Sequence, residues 1–293
     1  MIKSQQRMTE KIIELEKGMN KVRAVMLNMR PVRALTFVLA AAAGSLAVLS
    51  LGMGFFPLRT FLVMASVFFG WEFAVVINDI SDQKIDVVSH PDRPLARGTL
   101  TVKEYTNLAF LFAGFSLVPA AKVNLNVFLG AAFWLFLGIL YSRPGLRWRK
   151  NFLGNLLIGA ALTLSFWMGA AAGGDLSVLL DPKNLIFVFV IFIFGAVIPL
   201  TKDLNDIAGD KTNGVKTICS LLGRDKGKMI VIVLVFLAMC LPAAWAQGFV
   251  WRAGFVLFAA IAGGVYMKTE KERTVYLLAS LEGIAFFCYL YGY

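Results

Sequence analysis

The chain has 293 residues, of which 58% are hydrophobic, and its Lys and Arg outnumber Asp and Glu by 29 to 18, a formal net charge of +11. So apolar a composition excludes an ordinary water-soluble domain and is that of a membrane protein. The basic balance does not imply nucleic acid, because basic loops beside apolar spans mark topology and contact with anionic lipid.

In chain order, residues 1–30 are expected to form a cytoplasmic amphipathic helical segment. Ile12, Leu15, Met19, Val22, Met26 and Met29 follow at spacings of three and four, a narrow apolar stripe between charged flanks. Such a helix lies on the membrane surface or on the cytoplasmic loops, with a coiled-coil partner as the alternative. The segment is charged and has no short apolar core before a small-residue cut site, so no cleavable signal peptide is expected.

Residues 31–293 read as one transmembrane domain. A bilayer core takes about 20 apolar residues per helix. Nine stretches qualify: 34–54, 60–78, 105–121, 125–141, 152–172, 184–201, 229–247, 253–267 and 275–292. The third and fourth are separated by three residues only, and the eighth is short. The fold class expected is therefore an all-α membrane protein of about nine transmembrane helices. Of the 29 Lys and Arg, 25 fall in the N-terminal segment and in loops 79–103, 142–150, 202–228 and 268–273; Arg59, Lys122, Lys183 and Arg252 make up the other side. The positive-inside rule then places the N-terminus in the cytoplasm and the C-terminus outside. Cys219, Cys240 and Cys288 share no ligand-like spacing and suggest neither a disulfide framework nor a metal knuckle.

Two acidic stretches close cytoplasmic span ends: "NDISDQKID" at 78–86 and "KDLNDIAGD" at 202–210. They hold six of the ten Asp residues. Asn78, Asp82 and Asp86 stand at i, i+4, i+8, one helical face, from which Asp79 points away. Asp203, Asp206 and Asp210 stand at i, i+3, i+7, again one face. Like charges so spaced repel, and more so near lipid, so something positive must offset them. Oxygen donors without His or Cys suit Mg2+, which shares a carboxylate or two with substrate phosphates. A solvated loop start would explain one such stretch; it explains two less well. Arg93, Arg97, Lys202, Lys211 and Lys216 flank the stretches, and Arg143, Arg147, Arg149 and Lys150 fill the loop after the fourth span. All are candidates for neutralising a diphosphate, although topology alone would place basic residues there.

Paired as they are, the two stretches resemble the N-D-x-x-D-x-x-x-D and D-x-x-D-x-x-x-D motifs of the UbiA superfamily of intramembrane prenyltransferases. "DRP" and "RG" after the first stretch and "YS" at 141–142 are also similar to that family, over about residues 30–293. "KDLNDIAGDKTNGVKT" looks most like archaeal-type members, and the N-terminal segment matches nothing in the family pattern. The resemblance implies nine helices around a central cavity, with cytoplasmic loops capping both motifs. It implies one Mg2+ on Asn78, Asp82 and Asp86 and a second on Asp206 and Asp210 with help from Asp203. It further implies diphosphate contacts from Arg93, Arg97, Lys202, Arg147 and Lys211, a catalytic part for Tyr141, a prenyl diphosphate donor and a hydrophobic acceptor, with no obligate protein partner.

An allylic cation formed there must be kept from water, and aromatic faces can stabilise it. Trp71, Phe73, Trp134, Tyr141, Phe166 and Trp167 are candidates, with packing the commoner use for all but Tyr141. His90 is read as a loop residue without a catalytic part. Glu72, six residues before Asn78, is read as pairing with a basic group or lying near the acceptor; Glu282 has no assignment. A terpene cyclase of the same fold and a cation or organic-ion transporter remain the alternatives. The cytoplasmic depth of the carboxylates argues against the transporter, whose sites lie near the midplane.

Overall fold

The computed structural model describes residues 20–26, 28–50, 52, 54, 56–142, 153–174, 176–212 and 214–292. Among them there is no strand. The helices are α1 Pro31–Ser50, α2 Pro57–Ser89, α3 Val102–Val123, α4 Leu125–Ser142, α5 Leu153–Ala171, α6 Pro182–Val197, α7 Leu200–Thr212, α8 Ile218–Leu222, α9 Arg224–Met239, α10 Leu241–Trp245, α11 Phe249–Thr269 and α12 Glu272–Tyr291. A short helical stretch also covers 20–26. Nine stretches among the described residues are long and apolar enough to cross a bilayer, α6 with α7 and α9 with α10 each making one. This is the expected span count.

Local chemistry sets the helix starts. Proline opens α2 and α6, where its missing N–H leaves no bond unmade. Thr101 and Glu104 form a capping box on α3: the Glu104 amide donates to Thr101 Oγ1 (3.3 Å) and the Thr101 amide donates to Glu104 Oε2 (2.8 Å). Small residues then set how closely helices pack, since in lipid close van der Waals contact replaces the hydrophobic drive. A methyl group at Gly169 of α5 would lie 1.9 Å from the Ala41 carbonyl of α1, and one at Gly44 of α1 would lie 1.9 Å from the Phe166 carbonyl of α5. These two helices therefore touch backbone to backbone. α12 packs against α1 at the other end of the chain order, which closes the bundle into a ring.

Two departures from simple spans build the site. α2 runs eleven residues past the predicted end at 78, to Ser89, so the whole first acidic motif is helical. The sixth span breaks at Ile198–Pro199, where Pro199 supplies no N–H and its ring displaces the preceding carbonyl. Thr201 Oγ1 donates to the Ile198 carbonyl (2.7 Å), and Tyr266 of α11 donates to the Thr201 carbonyl (2.6 Å). The Ile198 and Thr201 carbonyls at the break thus find donors within the protein, as a broken helix at membrane depth requires. Beyond the break α7 carries the second acidic motif and packs on α2.

Candidate functional site

A cavity lies where α1, α2, α4, α5, α7 and α12 meet. Asn78, Tyr141, Lys202, Asp203, Asp206 and Asp210 line it, with Arg30, Arg33, Asn155 and Lys216. Its apolar wall is aromatic: Phe37 stacks on Trp71 at 4.7 Å and meets Trp134 edge-on at 5.8 Å, and all three face the cavity. An apolar groove between α1, α5, α6 and α12 adjoins it, sharing Phe37, Ile158, Pro199 and Tyr276. The cavity that holds the acidic residues thus borders a hydrocarbon-lined one across these side chains.

Asp82, Asp86, Asp206 and Asp210 are all buried. Arg93 Nη1 donates to Asp86 Oδ2 (2.6 Å) and also to Asp79 Oδ1 (3.2 Å). Lys202 Nζ stands 3.0 Å from Asp206 Oδ2, one turn away, and His90 Nε2 stands 3.1 Å from Asp206 Oδ1. Thr217 Oγ1 donates to Asp210 Oδ2 (3.2 Å). Asp79 faces away from the cavity, as its spacing predicts, and is wholly buried. It accepts from Asn28 Nδ2 (2.7 Å) and Arg30 (3.0 Å) as well as from Arg93. Burial pulls the Arg30 guanidinium below its ordinary value while Asp79 works against that; an arginine stays charged throughout.

The sequence-predicted residues separate as follows. Asn78, Asp203, Asp206, Asp210, Lys202 and Tyr141 share the cavity. Asp82 and Asp86 lie on the same helix face as Asn78, beyond the cavity wall. Arg93 is bound to carboxylates, and with Arg97, which is exposed, it lines a separate surface pocket beside Arg23 and Asn28. Lys211 is exposed at the end of α7 and does not face the cavity. Arg147, with Arg143, Arg149 and Lys150, lies outside the described residues, as do Ile12, Leu15 and Met19. Of the aromatic candidates, Trp71, Trp134 and Tyr141 face the cavity; Phe73 and Phe166 are packed in apolar clusters, and Trp167 is exposed. Glu72 and Glu282 are buried, Glu72 with Oε1 and Glu282 with both oxygens lacking a hydrogen-bond partner.

Sequence reasoning missed four contributors: Arg30, Arg33, His90 and Tyr276. Arg30 and Arg33 counted only as topology signals, yet they reach the cavity and pair with Asp79 and Glu272. "RPVR" at the mouth of the first span, level with the acidic motifs, was the available signal.

The donors suit a hard divalent cation. Asp86 Oδ1 is buried without a hydrogen-bond partner, and the carboxylates with the Asn78 carbonyl offer an all-oxygen donor set. Among the described residues no three acidic, His or Cys side chains close into a cage. Mg2+ takes one or two carboxylates and completes its shell with water and substrate phosphate.

The UbiA prenyltransferase family model matches residues 30–279, so the chain belongs to that family. It is 28% identical over 230 residues to a 2-acylphloroglucinol 4-prenyltransferase of Humulus lupulus, a match covering 74% of this chain and 55% of that protein. It is also 28% identical over 223 residues to the digeranylgeranylglyceryl phosphate synthase of Saccharolobus solfataricus, covering 72% and 77% respectively. Among solved structures, a UbiA homologue from Archaeoglobus fulgidus bound to GPP and Mg2+ superposes with a TM-score of 0.68 at 20% identity, covering 92% of this chain and all of that one. The chain thus spans little more than half the length of the hop relative, and the structural likeness establishes the fold.

Proposed function

We propose that this member of the UbiA family is a multi-pass membrane enzyme that transfers an isoprenyl chain from a prenyl diphosphate to a lipophilic acceptor and releases pyrophosphate. One observation carries the reading: α7 brings Asp203, Asp206 and Asp210 to a cavity that Asn78 of α2 also lines, with Asp82 and Asp86 on the same α2 face just beyond it, and this cavity has an aromatic inner wall and adjoins an apolar groove. A ligand with a polyanionic head and a hydrocarbon tail matches that division. The distribution of Lys and Arg sets the mouth on the cytoplasmic side, with the C-terminus outside.

Asn78, Asp82 and Asp86 would hold one Mg2+, and Asp206 and Asp210, with Asp203, a second. Bound there, Mg2+ supplies Lewis-acid neutralisation of the diphosphate. Lys202, which lines the cavity, would add fixed positive charge where the leaving group gains its negative charge. The allylic C–O bond then breaks with its electron pair on pyrophosphate. Phe37, Trp71, Trp134 and Tyr141 present ring faces to the resulting cation and exclude water from it. The acceptor attacks the allylic carbon and loses a proton. Two acceptor classes fit the relatives named above, an aromatic ring and a prenylglyceryl phosphate.

Purified protein given Mg2+ and prenyl diphosphates of several lengths, with and without each acceptor class, tests this. Prenylated acceptor with stoichiometric pyrophosphate is expected. Pyrophosphate with cyclised hydrocarbon and no need of acceptor would instead identify a terpene cyclase. No turnover with any donor would sink the enzymatic reading.

A further inference from the structure

Asp79 follows Asn78 in the first motif and turns its carboxylate the other way, into a fully buried site. A carboxylate so placed is held only by compensating donors. Here they come from three parts of the chain: Asn28 in the N-terminal segment, Arg30 at the entry of α1, and Arg93 in the loop after α2. Arg93 is the informative one. Its Nη1 is shared between Asp79 Oδ1 and Asp86 Oδ2, while Asp86 Oδ1 stays buried without a hydrogen-bond partner. An arginine divided between two carboxylates neutralises neither fully. Asp86 therefore keeps both negative charge and a vacant oxygen for a divalent cation.

We infer that Asp79 is a positioning residue: it takes a share of Arg93 that would otherwise fall wholly to Asp86 and, through Asn28 and Arg30, fastens the N-terminal segment to the metal-binding motif. The second tie of that segment is the Lys21–Glu104 ion pair, 2.6 Å long and far more exposed. The inference rests on the reading of Asp86 as a metal ligand.

The test is Mn2+ binding followed by electron paramagnetic resonance, without substrate. Asp79→Asn leaves Arg93 a single charged partner, Asp86, and is expected to weaken Mn2+ binding about tenfold. In an Arg93→Gln background the same change is expected to shift affinity less than about twofold, because nothing then competes with the ion. Equal losses in both backgrounds would overturn the inference, since a loosened fold acts regardless of Arg93. Limited trypsin digestion reads the tether. Cleavage at Lys21 and Arg23 is expected to quicken in Asp79→Asn and in Glu104→Gln, with Mn2+ affinity unchanged in the latter. Unaltered protection in Asp79→Asn overturns the tether. Should that variant fail to fold, Asn28→Ala replaces it, again with faster cleavage expected and unchanged cleavage decisive against. A native protein that binds no Mn2+ overturns both this inference and the metal assignment. Absent turnover with Mn2+ bound would count against the proposed reaction alone.

Discussion

Asp206→Asn separates a metal-holding carboxylate from a structural one. Asp206 is buried and takes Lys202 at 3.0 Å and His90 at 3.1 Å, one on each oxygen. The amide has the same shape and keeps an oxygen for Lys202, while its NH2 can face His90 in the tautomer whose Nε2 accepts, so packing is preserved while the charge and one acceptor are lost. Removing the charged partner of such hydrogen bonds costs about 1–3 kcal/mol. Measured against a folding stability of about 5–15 kcal/mol, that leaves nearly all molecules folded. Loss of one preorganised charge-stabilising group at a reacting centre lowers turnover by about 10²–10³-fold. The two effects therefore differ enough to be told apart. Pyrophosphate release across a Mg2+ titration is expected to fall by at least about a hundredfold, while thermal unfolding of the detergent-solubilised protein moves by several degrees. Turnover within about threefold of the parent at the same half-saturating Mg2+ would refute the assignment of Asp206 to the metal site.

Three further outcomes are expected. Gly169→Ala forces a methyl against the Ala41 carbonyl and should destabilise by at least about 1–3 kcal/mol, read as a lowered unfolding temperature; Gly264→Ala, with no atom within 4 Å of the added carbon, should leave it nearly unchanged. Lys228 and then Arg224 hydrogen-bond Glu270 and hold its carboxyl below the ordinary value of 4.5. Its contribution to stability is present above that value and is lost as pH falls through the lowered folded one. Glu270→Gln should therefore lower the unfolding temperature at pH 7, with the gap closing in strong acid; a gap that stays constant with pH would contradict this. Burial pushes the Cys219 thiol up to about 11, so a maleimide at pH 8 should leave Cys219 unlabelled in the folded protein and label it in denaturant. Fast labelling of the folded protein would show that α9 does not cover it.

The spans and both acidic motifs were legible because lipid imposes length and hydropathy on a helix, and a carboxylate at its edge is conspicuous. Helix limits were less so. Hydropathy reports what a residue faces, not whether its backbone stays hydrogen-bonded, so α2 runs on to Ser89 through polar sequence that ended the predicted span at 78. Arg30 and Arg33 illustrate the other gap. Their partners lie 49 and 239 residues away, so only their place at the mouth of the first span sets them apart from charges that merely set topology. Arg93 shows the same in reverse. Its sequence position beside the motif suggests a phosphate ligand, while its geometry makes it first a neutraliser of Asp79 and Asp86.

That neutralisation bears on how the proposed site works. α2 and α7 bring two rows of carboxylates together, and such rows repel unless cations stand between them. Arg93 and Lys202 occupy that role here, and His90 hydrogen-bonds Asp206. Divalent ions entering with a diphosphate would take over Asp86 and Asp206 and release these side chains without moving them far. Arg93 would keep Asp79 as its anchor, and Lys202 would stay on the first turn of α7, beside the break at Pro199, which lines both the cavity and the groove. Cations displaced by loading would thus stand where the pyrophosphate departs. In the proposed reaction, the charges that stabilise the resting fold would become available to the leaving group once donor and metal are both bound, which would tie ionisation of the donor to a fully loaded site.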